Sequence, residues 1–172
     1  MLRSLVSALA LLAALPAAGQ DLATTQSWEH GSWRTATMVN ETDGRRFCAA
    51  ETSSLFDQVL RIALYETGDA FLEIRDVTWA YPNGIPMRFH LIVGSQERIV
   101  TGQGWEGSIS LDLLDDSQRV AVLDRLTRGE GLDLRLPNRS RIAQFSLDGA
   151  DAAIEAAKSC WEAIRAGGDY QP

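Results

Sequence analysis

The stretch Ser108-Ile109-Ser110-Leu111-Asp112-Leu113 decides the fold class, because polar and apolar side chains alternate along it without a break. Successive side chains of a strand point to opposite faces of a sheet, so this pattern predicts a strand with one buried and one polar face. The same alternation recurs in residues 60–64, 72–74, 87–93, 132–136 and 145–147. Repeated alternation of this kind favours antiparallel strands that are covered on one side.

Turn-forming residues separate these predicted strands. Three groups of residues contain glycine beside polar residues or proline, and each predicts a reversal of the chain: Thr67-Gly68-Asp69, Tyr81-Pro82-Asn83-Gly84 and Gly94-Ser95-Gln96. Residues 102–107 match the pattern G-x-G-x-x-G, which in nucleotide-binding proteins precedes a helix. A strand follows it here, so the glycines predict a hairpin turn or a bulge instead of a nucleotide site.

Two segments have helical spacing. Residues 115–128 place Val120, Leu123 and Leu126 on one side, and Gly129 is suited to end that helix. A second helix is predicted from an N-cap at Asp148 to about residue 166. Its apolar stripe contains Ala150, Ala153, Ile154, Ala157, Cys160, Trp161 and Ile164.

These elements together predict a mainly β fold. We expect an antiparallel β-sandwich or a partly closed barrel, with a C-terminal helix packed on it and one shorter helix between late strands. The length predicts a single domain over residues 20–172, with residues 20–30 and 167–172 flexible.

The first 19 residues are typical of a cleavable secretory peptide. Arg3 precedes an apolar run that is too short to span a bilayer, and small residues up to Gly19 suit a signal peptidase. We therefore expect cleavage near Gly19 and a periplasmic or secreted protein.

In that oxidising location Cys48 and Cys160 are expected to form a disulfide that closes a loop of about 110 residues. Two buried free thiols, or a bridge between two molecules, are the alternatives.

The charge of the chain argues against two classes of partner. A net charge of −7 is repelled by phosphate backbones and by anionic lipid surfaces, so nucleic acid is not expected to bind. No segment after the predicted signal has the apolar length of a membrane span, so a soluble protein without a stable membrane anchor is expected.

Cofactor and metal chemistry is not predicted. The chain has two histidines, His30 and His90, and both cysteines are expected to be oxidised, which leaves few ligands for a transition metal. Asp112, Asp115 and Asp116 are a possible carboxylate site for a hard cation, but they fit the acidic start of a helix better.

No catalytic motif is present, so the chain is predicted not to be an enzyme. Neither G-x-S-x-G nor S-x-x-K occurs, and His90 with unplaced carboxylates is the one catalytic alternative. Trp79, Tyr81 and Trp105 lie near predicted turns and form a candidate binding surface. Aromatic plugs of the core are the alternative for these three residues.

The chain resembles the invasion-associated locus B family of small exported alphaproteobacterial proteins. The similar segments are Trp33-Arg34, the strand with Cys48, Pro82-Asn83-Gly84-Ile85-Pro86, the helix at 115–128, and Phe145-Ser146-Leu147-Asp148-Gly149. It differs in lacking the family's mid-chain cysteine, where Gly104-Trp105-Glu106-Gly107 stands instead, and in its longer final helix. The resemblance implies a soluble periplasmic β-rich protein with envelope or host-interaction roles and without catalytic residues.

Three functions agree with these features of the sequence. The first is a non-enzymatic binding or accessory protein of the envelope, which predicts an exposed aromatic or apolar patch and a protein partner from the envelope or the host. The second is an inhibitor-like module for a hydrolase, which predicts a protruding rigid loop at residues 79–86. The third is an enzyme, which predicts a deep pocket where His90 meets carboxylates with displaced pKa values. The oligomeric state is not predicted.

Overall fold

The computed structural model describes residues 22–113 and 116–171, and it confirms the predicted mainly β fold. Eight antiparallel strands and two helices follow one another along the described chain. They are β1 (Leu22–His30), β2 (Trp33–Asn40), β3 (Arg46–Ser53), β4 (Val59–Tyr65), β5 (Ala70–Val93), β6 (Gln96–Asp112), α1 (Asp116–Leu126), β7 (Gly131–Arg135), β8 (Arg141–Ser146) and α2 (Ala150–Arg165).

A long hairpin of β5 and β6 organises the sheet. Its two strands have 24 and 17 residues and are joined by a tight turn at Gly94 and Ser95, as predicted. The turn predicted at residues 81–84 is wrong, because these residues lie inside β5. The pairing register shifts between Ala80 and Ile85, and this irregularity absorbs the extra residues without reversing the chain. Residues 102–107 lie opposite in β6, so the glycines form no hairpin turn; they face an irregularity whose extra residues belong to β5.

The hairpin supports two groups of strands. The first half of β5 pairs with β4, which continues through β3 and β2 to β1; we call this group the first wing. The second half of β5 pairs with β7, which pairs with β8; this is the second wing. β6 occupies the other edge of β5, and the sheet does not close into a barrel because β1 pairs only with β2 and β8 only with β7.

The two wings face each other across one buried cluster, in the manner of a sandwich. Ile62 and Leu72 of the first wing are buried in the same cluster as Leu134 and Phe145 of the second. The Gln58 amide donates to the carbonyl of Ile142, 2.9 Å away, and so joins the wings at one end. We call this side of the first wing its inner face, and the opposite side its outer face.

Helix α2 covers the inner face, and a disulfide holds it there. Cys160 of α2 is bonded to Cys48 of β3, both fully buried, with their Cα atoms 5.9 Å apart. The predicted apolar stripe of the helix is buried, apart from Trp161, which is half-buried. The predicted cap at Asp148 is wrong: Gly149 occupies the N-cap with φ 87°, because a Cβ at this position would overlap the His30 carbonyl.

Residues 22–30 and 167–171, within the two ends that were predicted to be flexible, make contacts with the rest of the chain. Residues 22–30 pair with β2 as an edge strand. Exposed edge positions carry polar residues such as Thr24 and Gln26, so the alternation that identifies half-buried strands is absent. At the other end, the ring of Tyr170 meets the ring of Trp28 edge-on, with centroids 5.1 Å apart.

The described ranges begin after the predicted signal peptide, so residues 1–19 lie outside them. None of the helices in the described ranges has the length and apolarity needed to cross a membrane.

Candidate functional site

A cavity opens inside the bend of the β5–β6 hairpin. It has a volume of about 490 Å³ and lies between β5, β6 and α1; we call it the hairpin cavity. Its apolar wall is made by Leu72, Leu91, Val93, Val100, Leu111, Leu113 and Val122. Volume and lining are those of sites that hold small molecules.

Beside the cavity, β6 approaches itself closely at a glycine. A Cβ on Gly102 would overlap the side chain of Leu111 and crowd the ring of Phe89. Val100 pairs with Phe89 and Gly102 with Met87, so this part of β6 directs small side chains inward where the rest of the core is filled by leucines. Gly102 and Val100 line the cavity on the β6 side, and Val122 lines it on the α1 side.

Polar side chains stand at the mouth of the cavity. Arg98 pairs in register with Leu91, so it occupies a position of β6 that faces the apolar side. Arg125, half-buried in α1, lines the same cavity, as do Gln96 and Gln103. Within the described residues neither arginine has an ion-pair partner. Two unpaired guanidinium groups beside an apolar wall favour a ligand that is apolar with an anionic end.

A second pocket lies on the outer face of the first wing. It has a volume of about 290 Å³, and we call it the outer pocket. It is lined by Asn40, Arg45, Arg61, Ala63, Tyr65, Phe71, Glu73, Trp105, Ser108 and Ser110.

A row of alternating charges crosses four strands beneath this pocket. Arg34, Glu51, Arg61 and Glu73 pair in register from β2 to β5. Arg34 Nε donates to Glu51 over 2.8 Å, Arg61 donates to the other Glu51 oxygen, and Arg61 Nη1 donates to Glu73 over 3.0 Å. Burial by itself would raise the pKa of Glu51, but the attraction and hydrogen bonds of Arg61 and Arg34 outweigh it and lower that pKa. Glu51 is therefore ionised in the folded protein at neutral pH.

The three aromatic residues of the predicted binding surface are not brought together. Trp79 and Tyr81 are half-buried, pack on the main core and contact each other edge-on with centroids 5.5 Å apart. Trp105 lines the outer pocket and keeps 40% of its surface exposed. Trp79 and Tyr81 thus pack against the main core while partly exposed, and Trp105 stands at the outer pocket.

His90 lies at a shallow pocket on the outside of β5. Its Nδ1 is 2.5 Å from Glu97 Oε1, which Arg139 also contacts at 2.6 Å. Hydrogen bonds from Arg139 and His90 lower the pKa of Glu97. This pocket has a volume of about 200 Å³, and its lining of Arg88, Phe89, His90, Ile99 and Pro137 offers no hydroxyl or thiol nucleophile. The expected deep pocket at His90 is therefore not found among the described residues.

The prediction of a protruding loop at residues 79–86 is also wrong, since these residues belong to β5 and its irregular pairing with β6.

In the described residues no group of three or more His, Cys, Asp or Glu side chains is placed to hold a metal ion. Of the acidic trio considered as a cation site, Asp112 lines the hairpin cavity, and Asp115 lies outside the described ranges.

The residues that line the two main sites were mostly missed from the sequence. Gln96 and Arg98 pair with the buried residues Val93 and Leu91, so they lie on the apolar side of β6. This placement follows from the sequence if the alternation of residues 87–93 is continued across the Gly94 turn. The charge row needs the strand pairing to become visible, because its four members are 10 to 17 residues apart along the chain.

The chain matches no protein-family model, and comparison with curated proteins and with solved structures finds none that is similar. Function is therefore inferred from geometry and chemistry.

Proposed function

We propose that this chain is an exported, non-enzymatic binding protein that takes up a single-chain anionic amphiphile in the hairpin cavity. The observation that carries the proposal is the combination of an apolar-lined space of about 490 Å³ with Arg98 and Arg125 at its edge. The apolar chain of such a ligand gains about 25 cal/mol for each Å² that it removes from water. The arginines pair with its charged end.

Two features support export. The sequence of residues 1–19 has the organisation of a secretory peptide. The buried disulfide between Cys48 and Cys160 is of the kind that persists in oxidising compartments and is rare in the cytosol. An exported carrier or sensor of amphiphiles needs no catalytic group, which agrees with a cavity wall made of aliphatic side chains.

Titration calorimetry with dodecanoate tests the cavity. We expect saturable binding with a negative heat-capacity change, which is the mark of buried apolar surface. Val122→Phe fills the space from α1 and is expected to weaken binding at least about tenfold. Val120→Phe is the matched control, because Val120 lies on the same helix with 64% of its surface exposed and does not line the cavity. Equal binding by both variants, or no binding by the wild type, would contradict the proposal.

A second candidate function rests on an exposed apolar patch. Leu55 and Phe56, in the turn between β3 and β4, are 99% and 79% exposed, and Val77, two residues after Arg75, which pairs with Val59 of β4, is 96% exposed. Such a group favours contact with a protein partner from the envelope or the host, as the resemblance to the invasion-associated locus B family also implies. Loss of in-cell crosslinking to one envelope protein in Phe56→Ser, but not in Ser95→Ala, would support this second function.

A further inference from the structure

The outer pocket combines an aromatic platform with hydroxyl and amide groups, and it lies on the opposite face of the sheet from the hairpin cavity. Tyr65, Phe71 and Trp105 supply rings, while Ser108 and Ser110 supply hydroxyls. The lining of the pocket is therefore mixed, with aromatic rings beside hydrogen-bonding groups.

Trp105 is held in place although it is exposed. The backbone N–H of Glu106 donates to the Asn83 side chain over 2.9 Å, which fixes the chain next to the indole. Cη2 of the indole lies close to Gly84: an added Cβ there would make an ordinary van der Waals contact with it at 3.7 Å, and the φ of 72° at Gly84 is one that favours glycine. The irregular part of β5 thus lies next to the indole, which keeps 40% of its surface exposed.

The charged groups of the pocket are already paired with one another. Arg61 is hydrogen-bonded to Glu51 and to Glu73. Arg45 Nε donates to Asp43 over 2.6 Å, and its guanidinium lies 5.0 Å from the centre of the Tyr65 ring. A ligand with net charge would have to displace these pairs, so the pocket favours a neutral one.

Several hydrogen-bonding groups of the pocket have no protein partner within the described residues. They are the hydroxyls of Ser108 and Ser110 and the Glu73 carboxylate oxygen that Arg61 does not use. Burial, and after it the charge of Glu73, raise the pKa of Tyr65, so its phenol stays protonated and able to donate. The pocket therefore offers both donors and acceptors.

We propose that the outer pocket binds a neutral saccharide, with one sugar ring stacked on Trp105 and its hydroxyls bonded to Ser108, Ser110 and Glu73. A pyranose ring has a face of C–H groups, which packs on an indole, and an edge of hydroxyls, which both donate and accept. The amphiphile site proposed above lies on the other face of the sheet. A negative result for one proposal therefore leaves the other unaffected.

Nuclear magnetic resonance of the indole N–H signals tests this site with three probes: the neutral cellotriose and tri-N-acetylchitotriose, and the anionic trigalacturonate. The chain has five tryptophans, and the Trp105 signal is identified by its loss in Trp105→Phe. We expect a neutral trisaccharide to shift the Trp105 signal saturably and to leave that of the fully buried Trp33 unchanged. Dissociation constants of the variants are then compared by calorimetry.

Matched variants separate the site from general effects on folding. Trp105→Ala is expected to weaken binding about tenfold or more, whereas Trp105→Phe keeps a ring and stays within about threefold of the wild type. Ser110→Ala is expected to weaken binding about threefold, and Ser140→Ala, at an exposed turn, is the control. The near-ultraviolet circular dichroism of each variant verifies that it is folded.

Three results would overturn the proposal: no trisaccharide shifts the Trp105 signal, the charged trigalacturonate binds best, or Trp105→Ala binds as well as the wild type. A protein that binds the trisaccharide and also co-sediments with insoluble cellulose or chitin takes its saccharide from a polymer. Trisaccharide binding without co-sedimentation identifies a free oligosaccharide, and either result supports the proposal.

Discussion

The two faces of the first wing and the adjoining β6 differ in how they are buried and in what they offer a ligand. Neighbours in the chain belong to opposite faces: Ile62, Leu72 and Leu111 line the apolar interior, while Arg61, Glu73 and Ser110 line the outer pocket. The inner face is covered by α2 and the second wing, whereas the outer face fills its space with paired charges and aromatic rings. Residues that are adjacent in one strand therefore lie on the side of the proposed amphiphile site and on the side of the proposed saccharide site.

The largest expected effect concerns the inner face. Replacing both Cys48 and Cys160 by alanine removes the link between α2 and β3 and is expected to lower the free energy of unfolding by about 4 kcal/mol, because the unfolded chain regains the freedom of a long loop. Urea unfolding followed by circular dichroism measures this. The amides of β3 and α2 should lose protection from hydrogen exchange more than those of β7 and β8; a uniform loss would contradict the pinning of α2 to the first wing.

The outer face is tested by breaking the charge row at its centre. Glu51→Ala leaves Arg61, which is 5% exposed, without its main partner, and is expected to lower the free energy of unfolding by about 3 kcal/mol. The control is Glu66→Ala, since Glu66 pairs with Arg46 where both side chains are 32% exposed; there the loss should stay below about 1 kcal/mol. Similar losses in the two variants would mean that the row is not a buried structural element.

Lowering the pH should weaken the charge row on the outer face. The folded-state pKa of Glu51 is lowered, so its stabilising contribution is complete above the unfolded pKa of about 4.3 and is lost as the pH falls through the folded pKa. The difference in unfolding free energy between the wild type and Glu51→Gln should therefore shrink between pH 7 and pH 3. A difference that stays constant over this range, measured by urea unfolding, would show that ionised Glu51 does not stabilise the fold.

The smallest expected effect concerns the mouth of the hairpin cavity. Arg98→Gln and Arg125→Gln each remove one unpaired charge and are expected to weaken dodecanoate binding about fivefold at low salt. Arg128→Gln is the control on α1, because Arg128 is exposed and already paired with Asp124. Calorimetry of dodecanol, which lacks the charge, should show no difference among the three variants, and a difference there would assign the effect to changed packing.

Much of the inner face was predictable from the sequence, and little of the outer face was. Leu111 and its counterparts alternate with polar residues, and Cys160 falls on the apolar stripe of α2, so local periodicity is sufficient to place them. Glu51 and Arg61 are buried polar residues whose partners lie on other strands, so their burial follows from the register of pairing. Residues 81–84 have the composition of a turn, but pairing with β6 overrides that preference and makes them an irregular part of β5 next to Trp105.

The central claim is that the hairpin cavity, and not another surface, receives the amphiphile. Amide and methyl chemical shifts recorded during a dodecanoate titration test this most directly. We predict that saturable shifts are confined to cavity residues such as Leu91, Val100, Leu111 and Val122, while Ser108 and Ser110 on the opposite face do not move. Shifts centred on the exposed patch of Leu55, Phe56 and Val77, or on the outer pocket, would contradict the account.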